Sequence, residues 1–376
     1  MLRNPDSVAA DDRLRPRRVL FFGKTKARTR CTAALVHGLR SQGLEVRWLN
    51  CSFLKRYFGE FGMKRIVRAV RRRFAPDLCF VFYHDCPRPL MEEFSRELPT
   101  VVWMEEQCPV DASHVDYVRL ARLLCLSTPD LVRNYRERGI ERSTFMLSGF
   151  SPEYHTPATG VSGFDRDIAF IGAPGRMGDR PGFLAWLAEH YRVEIFGRVE
   201  PWLPYLHKHP RLAFAREVRA EDYGDVCARS KIVLGLNQDH SARYYFSNRL
   251  FLTLACRGFQ LIHYVPGVEE LFEDGVHLAW FRDLDECLVK IEHYLEQPEE
   301  RARIARAGYE LALRSHTYAH RVRDILSILA GDAPLRESWA PSAYADRSDA
   351  GRDEGRTEPD PDESLPLSGV SGPGDR

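Results

Sequence analysis

The sequence predicts an α/β protein built from two doubly wound domains whose parallel sheets face each other across a cleft. Three observations carry this. Short apolar runs alternate with helix-period segments from Arg17 onward, and the alternation starts again at Asp167; that pattern argues for parallel sheets covered by helices. Between the two series lies PATGVSGFDR (157–166), whose Gly, Ser, Thr and Pro content is that of a linker. The length of 376 residues is enough for two separate cores.

The first domain is expected over 17–156. Val19-Leu20-Phe21-Phe22 reads as a short buried strand, Cys31 to Ser41 as a helix and Glu45 to Leu49 as the next strand. The intervening loop GKTKARTR (23–30) contains lysine and threonine without the spacing of a phosphate-binding Walker loop, so an ATPase reading fails. MKRIVRAVRRRF (63–74) is a helix with Ile66, Val67, Val70 and Phe74 on one face and six basic residues around the rest. Such a helix either packs on a sheet or lies on an anionic membrane surface; the Pro76-Asp77 turn and the strand after it favour packing. Strand Leu78–Tyr83 ends in His84-Asp85-Cys86, and strand Thr100–Met104 ends in Glu105-Glu106. Parallel sheets bind ligands at the carboxyl ends of strands, which makes both ends candidate site positions. Leu123–Ser127 is a further strand, followed by the helix opening Thr128-Pro129-Asp130.

The second domain is expected over 167–330. Strand Asp167–Ile171 enters Gly172-Ala173-Pro174-Gly175, a helix runs from Phe183 to His190, and strands follow at Val193–Phe196 and Lys231–Leu236, the latter ending at Asn237. In Tyr244 to Ala279, Ser247 is the expected N-cap of a helix whose apolar face is Leu250, Phe251, Leu254 and Ala255. Gly258 is expected to end that helix in the left-handed conformation, before a strand over Phe259–Tyr264 and a turn at Pro266-Gly267. Helices over Leu284–Leu295, Glu299–Leu313 and Thr317–Leu329 complete the body.

Composition narrows the class. An apolar share of 44% and a charged share of 28% are those of an ordinary globular protein. The net charge of +1 is uneven: from Gly331 there are 11 acidic and 5 basic residues, leaving 49 basic and 42 acidic before it. A mildly basic body suits an anionic small substrate and is too weak a signal for nucleic acid. Residues 1–16 and the acidic 331–376 are expected to be disordered. Nine cysteines without CxxC pairing read as reduced thiols of a cytoplasmic protein. The opening residues lack the apolar core of a signal peptide, and no apolar run approaches the ~18 residues of a membrane span.

The residue of most chemical interest is Arg249. A cation in a first helical turn opposes the helix dipole, and a bound anion would account for its place there. Other candidates read as structural. Asp165 with Asp167 precedes a strand, Asp283 with Asp285 opens a helix, and His316 and His320 share a helix face without the glutamate of HExxH. No metal site is expected.

Asn248-Arg249, Ala255-Cys256, Gly258-Phe259 and Tyr264-Val265, followed in order by FEDG (272–275), IARAG (304–308) and HTYAHR (316–321), resemble the carboxy-terminal domain of spore-maturation-type glycosyltransferases. The match is strongest over 230–328. These enzymes belong to the GT-B superfamily and transfer sugars from nucleotide donors. The resemblance implies donor binding by Gly172, Asn237, Tyr245, Ser247, Asn248, Arg249 and Gly258, with Glu269 and Glu270 holding sugar or ribose hydroxyls. It places the group acting on the acceptor in the first domain. Trp103-Met104-Glu105-Glu106 looks like the family's Trp-x-x-acid pattern and selects Glu106, ahead of Asp85 and His84. It also implies that the last helix returns to the first domain, and that no cofactor is used beyond the donor. One departure stands out: relatives carry a glutamate three residues after the arginine, and here that position is Leu252. A GT-B-shaped binding protein without transferase activity, or a nucleotide-sugar epimerase, therefore remains an alternative. A weak membrane-surface contact through Met63–Phe74 would make the protein peripheral at the inner membrane face.

Overall fold

The computed structural model describes residues 14–25, 30–105, 110–161, 163–175 and 179–339. The first sheet comprises β1 (Arg18–Phe22), β2 (Glu45–Leu49), β3 (Leu78–Phe82), β4 (Thr100–Met104), β5 (Leu123–Leu126) and β6 (Ser143–Phe145). Its order is β2-β1-β3-β4-β5-β6, with every pairing parallel. Helices α1 (Cys31–Ser41), α2 (Cys51–Phe74), α3 (Arg88–Phe94), α4 (Ala112–Val118) and α5 (Pro129–Arg136) connect the strands. Every residue of β3 and β4 is buried. A parallel sheet covered on both faces demands such unbroken apolar runs, and LCFVF and TVVWM supply them.

The second sheet has the order β12-β11-β10-β7-β8-β9 and is also wholly parallel. Its strands are β7 (Arg166–Ile171), β8 (Val193–Phe196), β9 (Ala213–Arg216), β10 (Ser230–Gly235), β11 (Gln260–His263) and β12 (Ala279–Phe281). Its helices are α6 (Arg180–His190), α7 (Leu203–Lys208), α8 (Ala220–Arg229), α9 (Arg249–Ala255), α10 (Leu284–Glu296) and α11 (Pro298–Ser315). The 157–166 segment, apart from Ser162, which lies outside the described residues, leads from β6 into β7, whose first residue is Arg166.

The last helix, α12 (Tyr318–Leu329), belongs to the first core: Tyr318, Val322, Ile325 and Leu329 bury with Val19, Phe21 and Leu35. Gly38 of α1 permits this approach, since a Cβ there would stand 2.9 Å from the Tyr318 carbonyl carbon.

Two expectations at the chain ends need correction. Residues 331–339 are docked, not disordered. The Phe145 amide on edge strand β6 donates to the Arg336 carbonyl at 2.8 Å, and the Arg336 amide donates to Thr144 Oγ1 at 2.9 Å. The Arg336 guanidinium spans Asp324 at 2.9 and 3.2 Å, and Trp339 stacks on His316. The acid-rich average of the tail conceals three anchoring side chains, Leu335, Arg336 and Trp339. At the other end the Leu14 amide donates to the Leu329 carbonyl, and Arg15 pairs with Asp332. Residues 1–13 and 340–376 lie outside the described residues.

Candidate functional site

In doubly wound sheets the ligand crevice opens where the strand order reverses. Here those points fall between β1 and β3 and between β7 and β10. A cavity of about 140 Å³ lies between the two sheets, with Tyr83 and Glu105 on the first domain's side and Arg180, Asn237, Tyr245 and Arg249 among its walls on the other.

Two arginines dominate the second-domain wall. Arg249 opens α9 and is half-buried; among the described residues its guanidinium has no carboxylate or hydrogen-bond partner. Gly172 lies beside it: a Cβ at that position would be in ordinary contact with the guanidinium carbon at 3.5 Å and would crowd the Phe170 ring at 2.9 Å. Arg180, at the start of α6, is buried, and donates to the carbonyls of Ala173 at 2.6 Å and Leu236 at 3.0 Å. Its Nε is without a partner, and no carboxylate among the described residues pairs with it. Burial, then the nearby Arg249 charge, lower its pKa to about 10. Two adjoining guanidiniums without a counter-charge form an incomplete electrostatic unit, and a bound polyanion completes it.

Asn237 and Ser247 order the same wall. Asn237 Oδ1 accepts from the Ser247 amide at 2.8 Å, and the Asn237 amide donates to His240 Nε2 at 3.0 Å. His240 stacks on His263 at 3.8 Å. Burial first, then His263 and Arg180, lower the His240 pKa to about 4, so its ring is neutral near pH 7. Ser247 Oγ accepts from the Arg249 amide at 3.4 Å, the bond expected of a cap, although the helix proper begins after Asn248. Asn248 and Ser247 both line the cavity.

On the first-domain side, Glu105 ends β4, is 9% exposed and accepts a 2.7 Å hydrogen bond from the buried Tyr318 hydroxyl. Tyr83, just past β3, has φ +55°, a left-handed conformation that costs an aromatic residue about 1–2 kcal/mol. Such strain persists where the surroundings enforce it, and here it turns the chain into His84-Asp85 at the sheet's reversal point. Asp85 accepts from the Lys24 amide at 2.7 Å and pairs with its ammonium at 3.2 Å. His84 lies between His114 and Tyr117, with its pKa lowered first by burial. Neither His84 nor Asp85 lines the cavity beside Arg249. Glu106 lies outside the described residues.

Three expected donor residues stand elsewhere. Gly258 is at the far end of α9 and is not left-handed; Arg257 takes that role with φ +54°. A Cβ on Gly258 would stand 3.0 Å from Cys227 Cβ and from Thr253 Cγ2, so close packing explains the glycine. Glu269 accepts from the Gly267 amide and the Tyr264 hydroxyl, while Glu270 accepts from Tyr244 and Arg243. Both tie down the turn after β11. Leu252 is 1% exposed and packs in the core.

Sequence reasoning passed over Arg180 and set Glu105 behind Glu106. Arg180 had a signal: it is a first-turn cation following a strand and a glycine-containing loop, the argument used for Arg249. Among the described residues no three His, Cys, Asp or Glu side chains cluster as metal ligands. Asp167 pairs with Lys231 and Asp283 caps α10, while His316 lies between α11 and α12, off the helix that carries His320, and accepts from Arg321. In 63–74, Met63, Val67 and Phe74 are buried, so that segment's apolar face is packed on the sheet. No described helix is long and apolar enough to cross a membrane.

A glycosyl transferase-like family model matches residues 180–327. No curated protein matches the sequence. Solved structures match in fold. A sucrose-phosphate synthase from Thermosynechococcus elongatus is 10% identical, with 84% of this chain and 100% of that chain covered and a TM-score of 0.61. Anabaena HepE, solved in complex with UDP-glucose, is 12% identical, with coverage of 84% and 100% and a TM-score of 0.57. A glycosyltransferase from Rickettsia africae is 10% identical, with coverage of 85% and 100% and a TM-score of 0.58. The chain thus has the GT-B fold and carries a glycosyl transferase-like domain, as its sequence led us to expect.

Proposed function

We propose that this protein is a glycosyltransferase of the spore-maturation type, moving a sugar from a nucleoside diphosphate donor to an acceptor admitted from the first domain, in the cytoplasm. The observation that carries the reading is the Arg180–Arg249 pair, adjoining and, among the described residues, without carboxylate partners in an interdomain cleft. HepE, a structural neighbour, holds UDP-glucose, and a UDP-sugar is the first donor to try.

In the reaction an acceptor oxygen forms a bond to the anomeric carbon while the bond from that carbon to the diphosphate oxygen breaks. The electron pair leaves with the diphosphate. Arg249 and Arg180 hold that growing charge in place, a stabilisation stronger in the transition state than in the bound donor. The arginines supply positive charge where other enzymes use a metal, so the proposed transfer is metal-independent. Ser247 and Asn237 fix the start of α9, and so set where Arg249 stands. A carboxylate at the end of β4 receives the acceptor proton: Glu105 lines the cleft, and the adjacent Glu106 is its sequence-favoured alternative.

Thermal shift against a set of nucleotide sugars tests the donor. A ligand at ~100 times its dissociation constant adds ~2.7 kcal/mol of stability. Nucleoside diphosphate release that depends on an acceptor then establishes transfer. A second reading, donor binding without transfer, is favoured by the burial of Leu252 where relatives carry an acid. Stabilisation without release under any acceptor supports it.

A further inference from the structure

Large apolar side chains on the surface are usually scattered, but four of this protein's fall within nine residues of α2. Phe53, Tyr57, Phe58 and Phe61 are 53%, 64%, 57% and 80% exposed. Gly59, at φ +65° and ψ 177°, breaks the helical path, with Phe53, Tyr57 and Phe58 before the break and Phe61 just after it. All four rings are exposed, and the Phe53 and Tyr57 ring centroids are 4.5 Å apart.

The charge around them has one sign. Between Phe53 and Phe74 there are eight basic residues and one acid, Glu60. Glu60 pairs with Lys55 and Lys64, while Glu93 and Glu97 pair with Arg68 and Arg71. Arg56, Arg65, Arg72 and Arg73 are exposed and have no acidic partner among the described residues. At ~100° per residue, Phe61, Arg65 and Arg72 fall on the side of α2 opposite Met63, Val67 and Phe74, the side chains it buries. Phe61 and these arginines therefore face outward together, and Phe53, Tyr57 and Phe58 are exposed just before the break.

We propose that this face of α2 docks the protein on an anionic phospholipid surface, with the Phe53–Phe61 rings at the headgroup–acyl boundary and Arg56, Arg65 and Arg72 on lipid phosphates. Exposed aromatic side chains flanked by cations are what an interfacial helix requires. A second protein of ordinary acidic surface would meet the arginines but leave four rings in water. The docking surface differs from the 63–74 apolar stripe, which is packed away, and it does not depend on the transferase reading.

The test is co-sedimentation of the full chain with vesicles of phosphatidylcholine alone and of phosphatidylcholine mixed with phosphatidylglycerol. Binding is expected to the anionic vesicles and to weaken with salt. Tyr57→Ser with Phe61→Ser should reduce partitioning roughly tenfold or more. Arg65→Glu and Arg72→Glu should each reduce it at least about fivefold. All four positions are exposed, and an unchanged melting temperature confirms that the variants fold. Failure to sediment with anionic vesicles overturns the proposal. So does sedimentation velocity showing a lipid-independent dimer that Phe61→Ser disperses, since the rings would then be covered by a second copy.

Discussion

Replacing Arg249 with alanine removes one of two guanidiniums that stand together without a carboxylate among the described residues. Two effects of opposite sign follow. Binding of a nucleoside diphosphate should weaken, because charge-assisted hydrogen bonds contribute about 1.5–3 kcal/mol, which is roughly a tenfold to hundredfold loss of affinity. Folding stability should not fall, because Arg249 breaks no ion pair on leaving and relieves repulsion on the buried Arg180, whose lowered pKa moves back up. A melting temperature within ~2 °C of the parent, or above it, is expected. Calorimetry with UDP and with uridine separates these effects: the diphosphate loses affinity and the nucleoside keeps it to within about twofold. Equal UDP affinity in variant and parent refutes the phosphate assignment. A loss of many degrees in melting temperature shows instead that Arg249 is a structural residue.

The other predictions are briefer. Glu105→Gln and Glu106→Gln should be compared once an acceptor is in hand; the variant lacking the proton acceptor keeps donor affinity and loses transfer by ~10²–10⁴-fold. Near-normal turnover in both moves the search to Asp85 and His84. Removing residues 335–376 takes away Arg336 and leaves Asp324, whose side chain is 4% exposed, without its ion-pair partner; the cost is about 3 kcal/mol, and a truncated chain that melts with the parent would contradict the docked strap. His240 and His320 both have pKa values lowered to about 4, chiefly by burial. Their unfolded forms bind protons below about pH 6.5 while the folded forms do not, so stability is full above that value and declines as pH falls towards 4. His240→Asn should flatten this slope in a melting series, and an unchanged slope would count against a buried neutral ring.

Much of the fold was legible because the central strands of a covered parallel sheet must be apolar throughout, as LCFVF and TVVWM are. What escaped notice lies at the margins. β9 has no buried residue, β12 has three residues, and β6 is a short edge. None carries an apolar run long enough to register. The first half of α2 was hidden by Gly59 and by aromatic residues that face outward. At the site, Arg249 was visible through its conflict with a helix start, and Arg180 makes the same conflict at α6. Glu105 was a candidate set behind Glu106 on the Trp-x-x-acid resemblance, since side-chain direction past the end of a strand is not set by alternation. Leu335, Arg336 and Trp339 were lost in the composition of an acidic tail, since a few anchors do not change an average.

The chain passes between the two sheets twice, and the passages touch. The Tyr318 amide donates to the Phe150 carbonyl at 2.8 Å, and Phe150 pairs with Thr317 as a parallel bridge. Gly149 makes the contact close: a Cβ there would stand 2.9 Å from the His316 carbonyl oxygen. A door hung on one cord can swing in any direction, whereas two joined cords confine it to an axis. Any opening of the cleft must bend residues 149–150 and 316–318 as one strip, so Arg249 and Glu105 separate and return along a restricted path. A single proteolytic nick in either passage would leave the halves attached through the other. A bulky residue at 149 would part the cords and loosen the registry of the cleft without touching either wall of it.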